Sequence, residues 1–335
     1  MSEADVILRQ TPAQLFPGDE RAVAAKFKKL SLVWHPDLCH DPRAKDVFQY
    51  IVTAKAVALG KSDHNRLILE RVRGGGKFSM DYVGHGKSDS GRHFVGTSTV
   101  AYLVPDSLRD LCEPAIRMKW VFPDTKMEKE MTKYLPNRVR HEETTDGTFL
   151  AYRREPEQML LSDFIAFQKR RGELIDPRHV SWIISSLLNT CCYLEISRTA
   201  HCGLIPEYLL VSPECHSMHL TGPPLYATPW GHRPKAVPRA VLEAFPRMKS
   251  PGFKIESSVV DLAMIRKLAM SLLGHASTGA ARRDTRLSDG IKSFLCSPAP
   301  ESALKDYVAW EKARGKRAFT PFGATAREMY DALRN

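Results

Sequence analysis

No apolar run in this chain of 335 residues approaches the roughly twenty residues that a bilayer crossing needs, so no membrane-spanning helix is expected. The N-terminal stretch lacks a basic segment followed by an apolar one, which argues against a secretory leader, and the chain reads as cytoplasmic with no membrane partner. Cysteine is sparse: Cys39, Cys112, Cys191, Cys192, Cys202, Cys215 and Cys296 form an odd, scattered set. Such usage suits reduced, partly buried thiols in a reducing compartment better than a disulfide framework. Cys191, Cys192, Cys202, Cys215, His201, His216 and His219 lie near one another in sequence, but no C-x-x-C pair gives them zinc spacing, so no metal is expected. There is no internal repeat.

What is present is ordinary for a globular protein: 43% hydrophobic and 26% charged residues, in a length that accommodates two domains. The 49 Lys and Arg outnumber the 38 Asp and Glu, giving +11. That excess favours acidic partners or nucleic acid by a nonspecific electrostatic term. The basic residues are spread along the sequence without a recognisable nucleic-acid module, so nucleic acid is not the expected partner.

The most informative stretch is His35-Pro36-Asp37. It follows an apolar stripe, Val23, Phe27, Leu30 and Trp34, whose spacing of three and four predicts a helix from about Asp19 to Trp34. Asp19 is a plausible helix cap. Arg21, Lys26, Lys28 and Lys29 occupy the other faces. Pro36 disfavours helical backbone at His35 and places the tripeptide in a loop. A second helix is predicted from about Pro42 to Leu59, with Phe48, Ile51, Ala54 and Leu59 on one side, so the two should pair as an antiparallel hairpin.

Phe27 to Asp37 resembles helix II and the loop of the J-domain of DnaJ-type co-chaperones, and Phe48, Ile51 and Ala54 fall where that family's helix III has core residues. The resemblance implies that His35, Pro36 and Asp37 engage a DnaK-type heat-shock chaperone and stimulate its ATP hydrolysis, with Arg21, Lys26, Lys28 and Lys29 as steering charges. Two departures stand out. Thr11-Pro12 and Pro17-Gly18 interrupt the stretch where a first helix belongs, and Val33 stands where lysine is common.

Arg71 to Lys77, with three consecutive glycines, reads as a flexible linker. The expected organisation is therefore a J-like domain over 1–70, a linker over 71–77, a β-rich lobe over 78–155 and a helical lobe over 156–335, an α+β chain. In the β-rich piece, strands are predicted at 94–95, 97–104, 115–122 and 148–153, and a helix at about 124–134. Beyond it, helices are predicted at 160–171, 177–197, 257–273, 288–295 and at two places near the C-terminal end, with Phe319 and Phe322 anchoring the last.

The order of motifs in this larger part resembles a bilobal protein kinase. Gly96 to Tyr102 is similar to the end of a glycine-rich loop and its second strand, Ala115 to Lys119 to the strand that carries the phosphate-contacting lysine, and Glu128 or Glu130 to its glutamate partner. His201-Cys202-Gly203-Leu204-Ile205-Pro206-Glu207-Tyr208 looks like a catalytic loop, and Asp261 sits where that fold has a structural aspartate. Phosphoryl transfer needs a carboxylate base and oxygen ligands for magnesium. By the resemblance those working positions hold Gly203, Ile205, Tyr208 and Leu220, none of which supplies the required group. The resemblance thus implies a pseudokinase without catalytic residues. Lys119 with Glu128 or Glu130 reads as a residual nucleotide contact or an ordinary salt bridge, so no cofactor is expected beyond weak ATP binding.

Three functions follow as expectations. The first is a co-chaperone or adaptor, in which the J-like part recruits a DnaK-type chaperone and the inactive kinase-like part binds a client protein. The second is an atypical nucleotide-dependent kinase or transferase that rebuilt its ligands from Glu207, Glu214 or Asp261. The third is a basic scaffold for nucleic acid or an acidic protein.

Overall fold

A computed structural model describes residues 3–10, 12–17, 20–58, 65–315 and 320–334. The fold is mixed helix and sheet, with helix predominating. It divides into two compact units, Met1–Leu67 with Asp81–Val83, and Ile68–Met80 with Gly84–Asn335.

The smaller unit is helical: α1 (Glu3–Arg9), α2 (Pro12–Leu15), α3 (Glu20–Val33) and α4 (Ala44–Ala58). Its core is Ala4, Ile7, Leu15, Phe16, Val23, Trp34, Ala44, Val47, Ile51 and Ala54, with Phe27 and Leu30 partly buried against it. Each fully buried aliphatic side chain here contributes roughly 1.5–3 kcal/mol, which neither long helix could gain alone. Lys55 Nζ lies 3.9 Å from the Phe27 ring centre, and the His35 and Phe48 rings are 5.2 Å apart. Contacts 27 to 55 and 35 to 48 make α3 and α4 antiparallel. Arg43 donates to Asp5 at 2.7 Å and ties α1 to the start of α4. The prolines do interrupt the first stretch, leaving two short helices in place of one. The expected cap Asp19 and the expected stripe residue Leu59 lie outside the described residues.

The glycine run is not a linker. β1 (Asn65–Glu70) and β2 (Lys77–Tyr82) form a two-stranded sheet, and the run turns the chain between them. Gly74, Gly75 and Gly76 have φ of 76°, 62° and 83°, a left-handed succession that L side chains resist, and Arg71 N donates to Gly76 O at 3.1 Å. The boundary between units falls instead between Leu67 and Ile68.

The larger unit begins with an antiparallel sheet of β3 (Gly84–Ser88), β4 (Gly91–Val95), β5 (Thr99–Val104), β6 (Arg138–Thr144) and β7 (Gly147–Arg153), in the order β3-β4-β5-β7-β6. Between β5 and β6 lie α5 (Cys112–Arg117) and α6 (Thr125–Met131). The strand expected over 115–122 is therefore corrected: its first residues are helical and the rest irregular. Pro114 fits the first turn of a helix, where no N–H is needed, and Cys112 and Ala115 bury the inner face. Asp124 caps α6 by accepting from Met127 N at 2.7 Å.

The rest is mostly helical. β8 (Met159–Leu160), α7 (Leu161–Arg171), α8 (Pro177–Ile196), β9 (Thr199–Ala200), β10 (Leu209–Ser212), β11 (Ser217–Leu220) and β12 (Thr228–Pro229) are followed by α9 (Arg239–Ala244), α10 (Val259–Leu272), α11 (Thr278–Arg283), α12 (Asp289–Cys296), α13 (Ala303–Arg314) and α14 (Ala326–Arg334). Arg266 of α10 and Asp306 of α13 form a buried two-pronged ion pair, at 2.6 and 2.7 Å, which fixes how these helices cross. Phe322 packs on Phe164 and His179, as an anchor should, while Phe319 lies outside the described residues.

Candidate functional site

The tip of the α3–α4 hairpin carries His35, Pro36 and Asp37. Leu38 N and Cys39 N both donate to His35 O, at 2.9 and 2.8 Å, folding the loop into a tight turn at the end of α3. The His35 ring stands edge-on to Phe48, and its Nδ1 accepts from Asp37 N at 3.3 Å. His35 is thus oriented from both sides, with its side chain 43% exposed, whereas Asp37 is 86% exposed. Trp34, next door, is buried and closes the core beneath the loop.

Arg21, Lys26, Lys28 and Lys29 are all exposed, and none forms an ion pair among the described residues. By helical geometry Arg21, Lys28 and Lys29 share the face opposite Val23 and Trp34, with Lys26 on the flank. Free cations on one rigid face suit an acidic partner surface. Sequence reasoning overlooked one component: Leu32, Val33 and Leu38, beside the tripeptide, are 63%, 52% and 66% exposed. Together they leave apolar side chains in water next to the basic face. The signal was there in Val33, a branched apolar residue on the polar side of an amphipathic helix.

The positions singled out in the larger unit behave differently. Lys119 is exposed in the stretch after α5, and Glu128 and Glu130 are exposed on α6; among the described residues Lys119 pairs with neither. The expected Lys–Glu pair is therefore absent, because the segment that should have been its strand is helix and coil.

Gly203, Ile205, Tyr208 and Leu220, by contrast, are buried. The Tyr208 phenol hydrogen-bonds Ser90 Oγ of the β3–β4 turn, and its ring meets Tyr102 and Tyr226 at 5.3 and 6.1 Å. Tyr102 donates to Glu207 O at 2.8 Å. Thr221 N and Gly222 N donate to Tyr208 O, and a Cβ on Gly222 would come within 2.3 Å of the Tyr208 ring. A Cβ on Gly203 would meet Tyr226 at 2.9 Å. The tyrosines therefore fill the space beside Gly203 and Gly222.

Asp261 is fully buried at the start of α10, and its carboxylate accepts from His201 N at 2.7 Å and Cys202 N at 2.9 Å. These bonds hold Cys202 at a φ of 53°, unusual for a residue other than glycine. Burial raises the Asp261 pKa to about 6, with the two N–H bonds opposing. Both its oxygens are engaged, so it is no free base. Glu207 is half-buried with its pKa raised by burial, and Glu214 is exposed on a turn. The three do not form an acid cluster that could hold a metal; among the described residues no group of three His, Cys, Asp or Glu does.

No protein-family model matches the sequence, and no curated protein is significantly similar to it. Among the described residues no helix is long and apolar enough to cross a membrane.

Proposed function

We propose that this chain is a J-domain-type co-chaperone or adaptor. The smaller unit recruits a DnaK-type heat-shock chaperone and stimulates its ATPase, and the larger unit is a catalytically inactive, kinase-like body that binds a client or partner protein. The observation that carries the reading is the turn at the hairpin tip: His35 braced on Phe48, Asp37 projecting into water, and Arg21, Lys28 and Lys29 unpaired on the outer face of α3. A loop that served only to join two helices would not require this combination of braced imidazole, exposed carboxylate and idle cations.

Support for the kinase-like reading comes from the five-stranded sheet with its helical insertion between β5 and β6, and from Asp261 bonded to the backbone of His201 and Cys202. Inactivity follows from chemistry. Gly203 has no side chain, Ile205 and Leu220 have no ligand atoms, and Tyr208 spends its hydroxyl on Ser90. Nucleotide binding is correspondingly weak or nil, with no cofactor required and metal chemistry not part of the role.

The test is stimulation of a DnaK-type ATPase by the full chain and by His35→Gln. Stimulation is expected from the wild type and lost in the variant at unchanged thermal midpoint; equal stimulation by both would refute the assignment.

A further inference from the structure

The positive charge that looks evenly spread along the sequence is concentrated in one part of the folded larger unit. Residues 230–254 contain Arg233, Lys235, Arg239, Arg247, Lys249 and Lys254 against a single carboxylate, Glu243. All six cations are exposed. Glu243 is already shared, by Lys267 at 2.7 Å and Arg239 at 3.0 Å, and these bonds lower its pKa. Lys235 reaches Glu113 only at 3.9 Å, and the backbone N–H of Arg239 donates to Asp89. Arg233, Arg247, Lys249 and Lys254 have no ion-pair partner among the described residues, although the next carboxylate, Glu256, is close by in sequence.

Backbone bonds gather these four. Gly231 N donates to Ile255 O at 2.7 Å and Ile255 N to His232 O at 2.9 Å, which sets Arg233 and Lys254 on neighbouring segments. Ser250 N to Arg247 O and Phe253 N to Ser250 O close a tight turn, with the Phe245 and Phe253 rings packed 5.9 Å apart beneath it. The cations thus rise from a loop that is internally fastened, and leaving them unpaired has an electrostatic cost that a ligand can relieve.

We propose that this loop docks an acidic, extended segment of a partner protein, one bearing several Asp or Glu residues. Its large aromatics are engaged: Phe245 and Phe253 pack edge-on against each other and Arg198 lies over the Trp230 ring, an arrangement unlike the row of open rings on which single-stranded nucleic acid stacks its bases. The two helices among the cations, α9 with six residues and a 3-10 turn over Pro246–Lys249, are too short to read a groove. Exposed carboxylate pairs are individually weak, so recognition needs several at once and is fast, modest in affinity and salt-sensitive.

This goes beyond the co-chaperone role, and its test contains no chaperone, so either can fail alone. Fluorescence anisotropy of a labelled peptide of alternating Glu and Ser is measured against the full chain at low and at physiological ionic strength. Expected results are binding at low salt, weakening by about tenfold at physiological salt, and at least about tenfold loss in the fourfold variant Arg233→Glu, Arg247→Glu, Lys249→Glu, Lys254→Glu. The control Lys126→Glu, Lys129→Glu, Lys305→Glu, three exposed cations elsewhere on the larger unit, should retain wild-type binding. If the fourfold reversal does not fold, the same four positions changed to Gln carry the test with a smaller loss in the same direction. Absence of binding, equal loss in both variants, or tighter loop-dependent binding of an oligouridylate of matched charge would overturn the proposal.

Discussion

The hairpin tip of the smaller unit and the tyrosine-filled region of the larger one are both loops at the end of a long helix, yet they treat their polar groups in opposite ways. At the tip, Asp37 stays in water with only His35, 3.7 Å away, beside its carboxylate, and the cations of α3 form no ion pair among the described residues, while Trp34 and Val47 beneath them are buried. Around Tyr208 the rings are buried, and the Tyr208 and Tyr102 hydroxyls bond to Ser90 and to Glu207 O. Polar groups left in water are available to another molecule; polar groups closed on one another are not, and their closure contributes to stability. The contrast predicts that substitutions at the tip change binding without changing stability, and that substitutions around Asp261 do the reverse.

The largest effect should come from Asp261→Ala. It leaves the buried N–H groups of His201 and Cys202 without an acceptor and releases Cys202 from its left-handed backbone, at a cost on the order of 4 kcal/mol in denaturant unfolding. A change below the scatter of exposed substitutions would break the comparison. His201→Phe tests the same region through pH. Burial lowers the His201 pKa to about 4, and neither ring nitrogen has a partner. Its neutral form therefore contributes stability that is complete above about pH 6.5 and is lost as pH falls toward 4. Asp261 and Asp163, raised to about 6 by burial, act in the opposite sense, so the informative quantity is wild type minus variant. Relative to wild type, the variant should gain on the order of 3 kcal/mol between pH 7 and pH 4; a pH-independent difference would mean that the ring is not buried neutral.

At the tip the expected change in stability is small. His35→Gln should shift unfolding by no more than about 0.5 kcal/mol while removing chaperone stimulation, because a half-exposed ring contributes little to packing. Smallest of all is Lys119→Ala, with neither stability nor nucleotide-induced thermal shift altered, since Lys119 pairs with neither Glu128 nor Glu130.

The long helices were legible because a stripe of period 3.6 survives in sequence: α3, α4, α7, α8 and α10 begin and end within a few residues of the expected positions. Two of the strands that were missed share a reason. β3 and β6 are the outer strands of the five-stranded sheet, and their glycines, histidines and arginines carry no alternating apolar signal, as edges commonly do not. The false strand at 115–122 had the opposite fault, with apolar residues that pack from a helix once Pro114 starts one. The exposed tripeptide was readable from its own residues. The closure around Tyr208 was not, because its neighbours come from three separate segments, Ser90 from the β3–β4 turn, Tyr102 from β5, and Gly222 and Tyr226 from the stretch between β11 and β12, which only the fold brings together.

Tyr330 of α14 accepts from Leu160 N at 3.1 Å and donates to Asp163 at 3.0 Å, while Arg154 lies across its ring. Leu160 and Asp163 are made about 170 residues earlier. During synthesis, then, the amide and carboxylate at the junction of β8 and α7 stay bonded to water until α14 has been made.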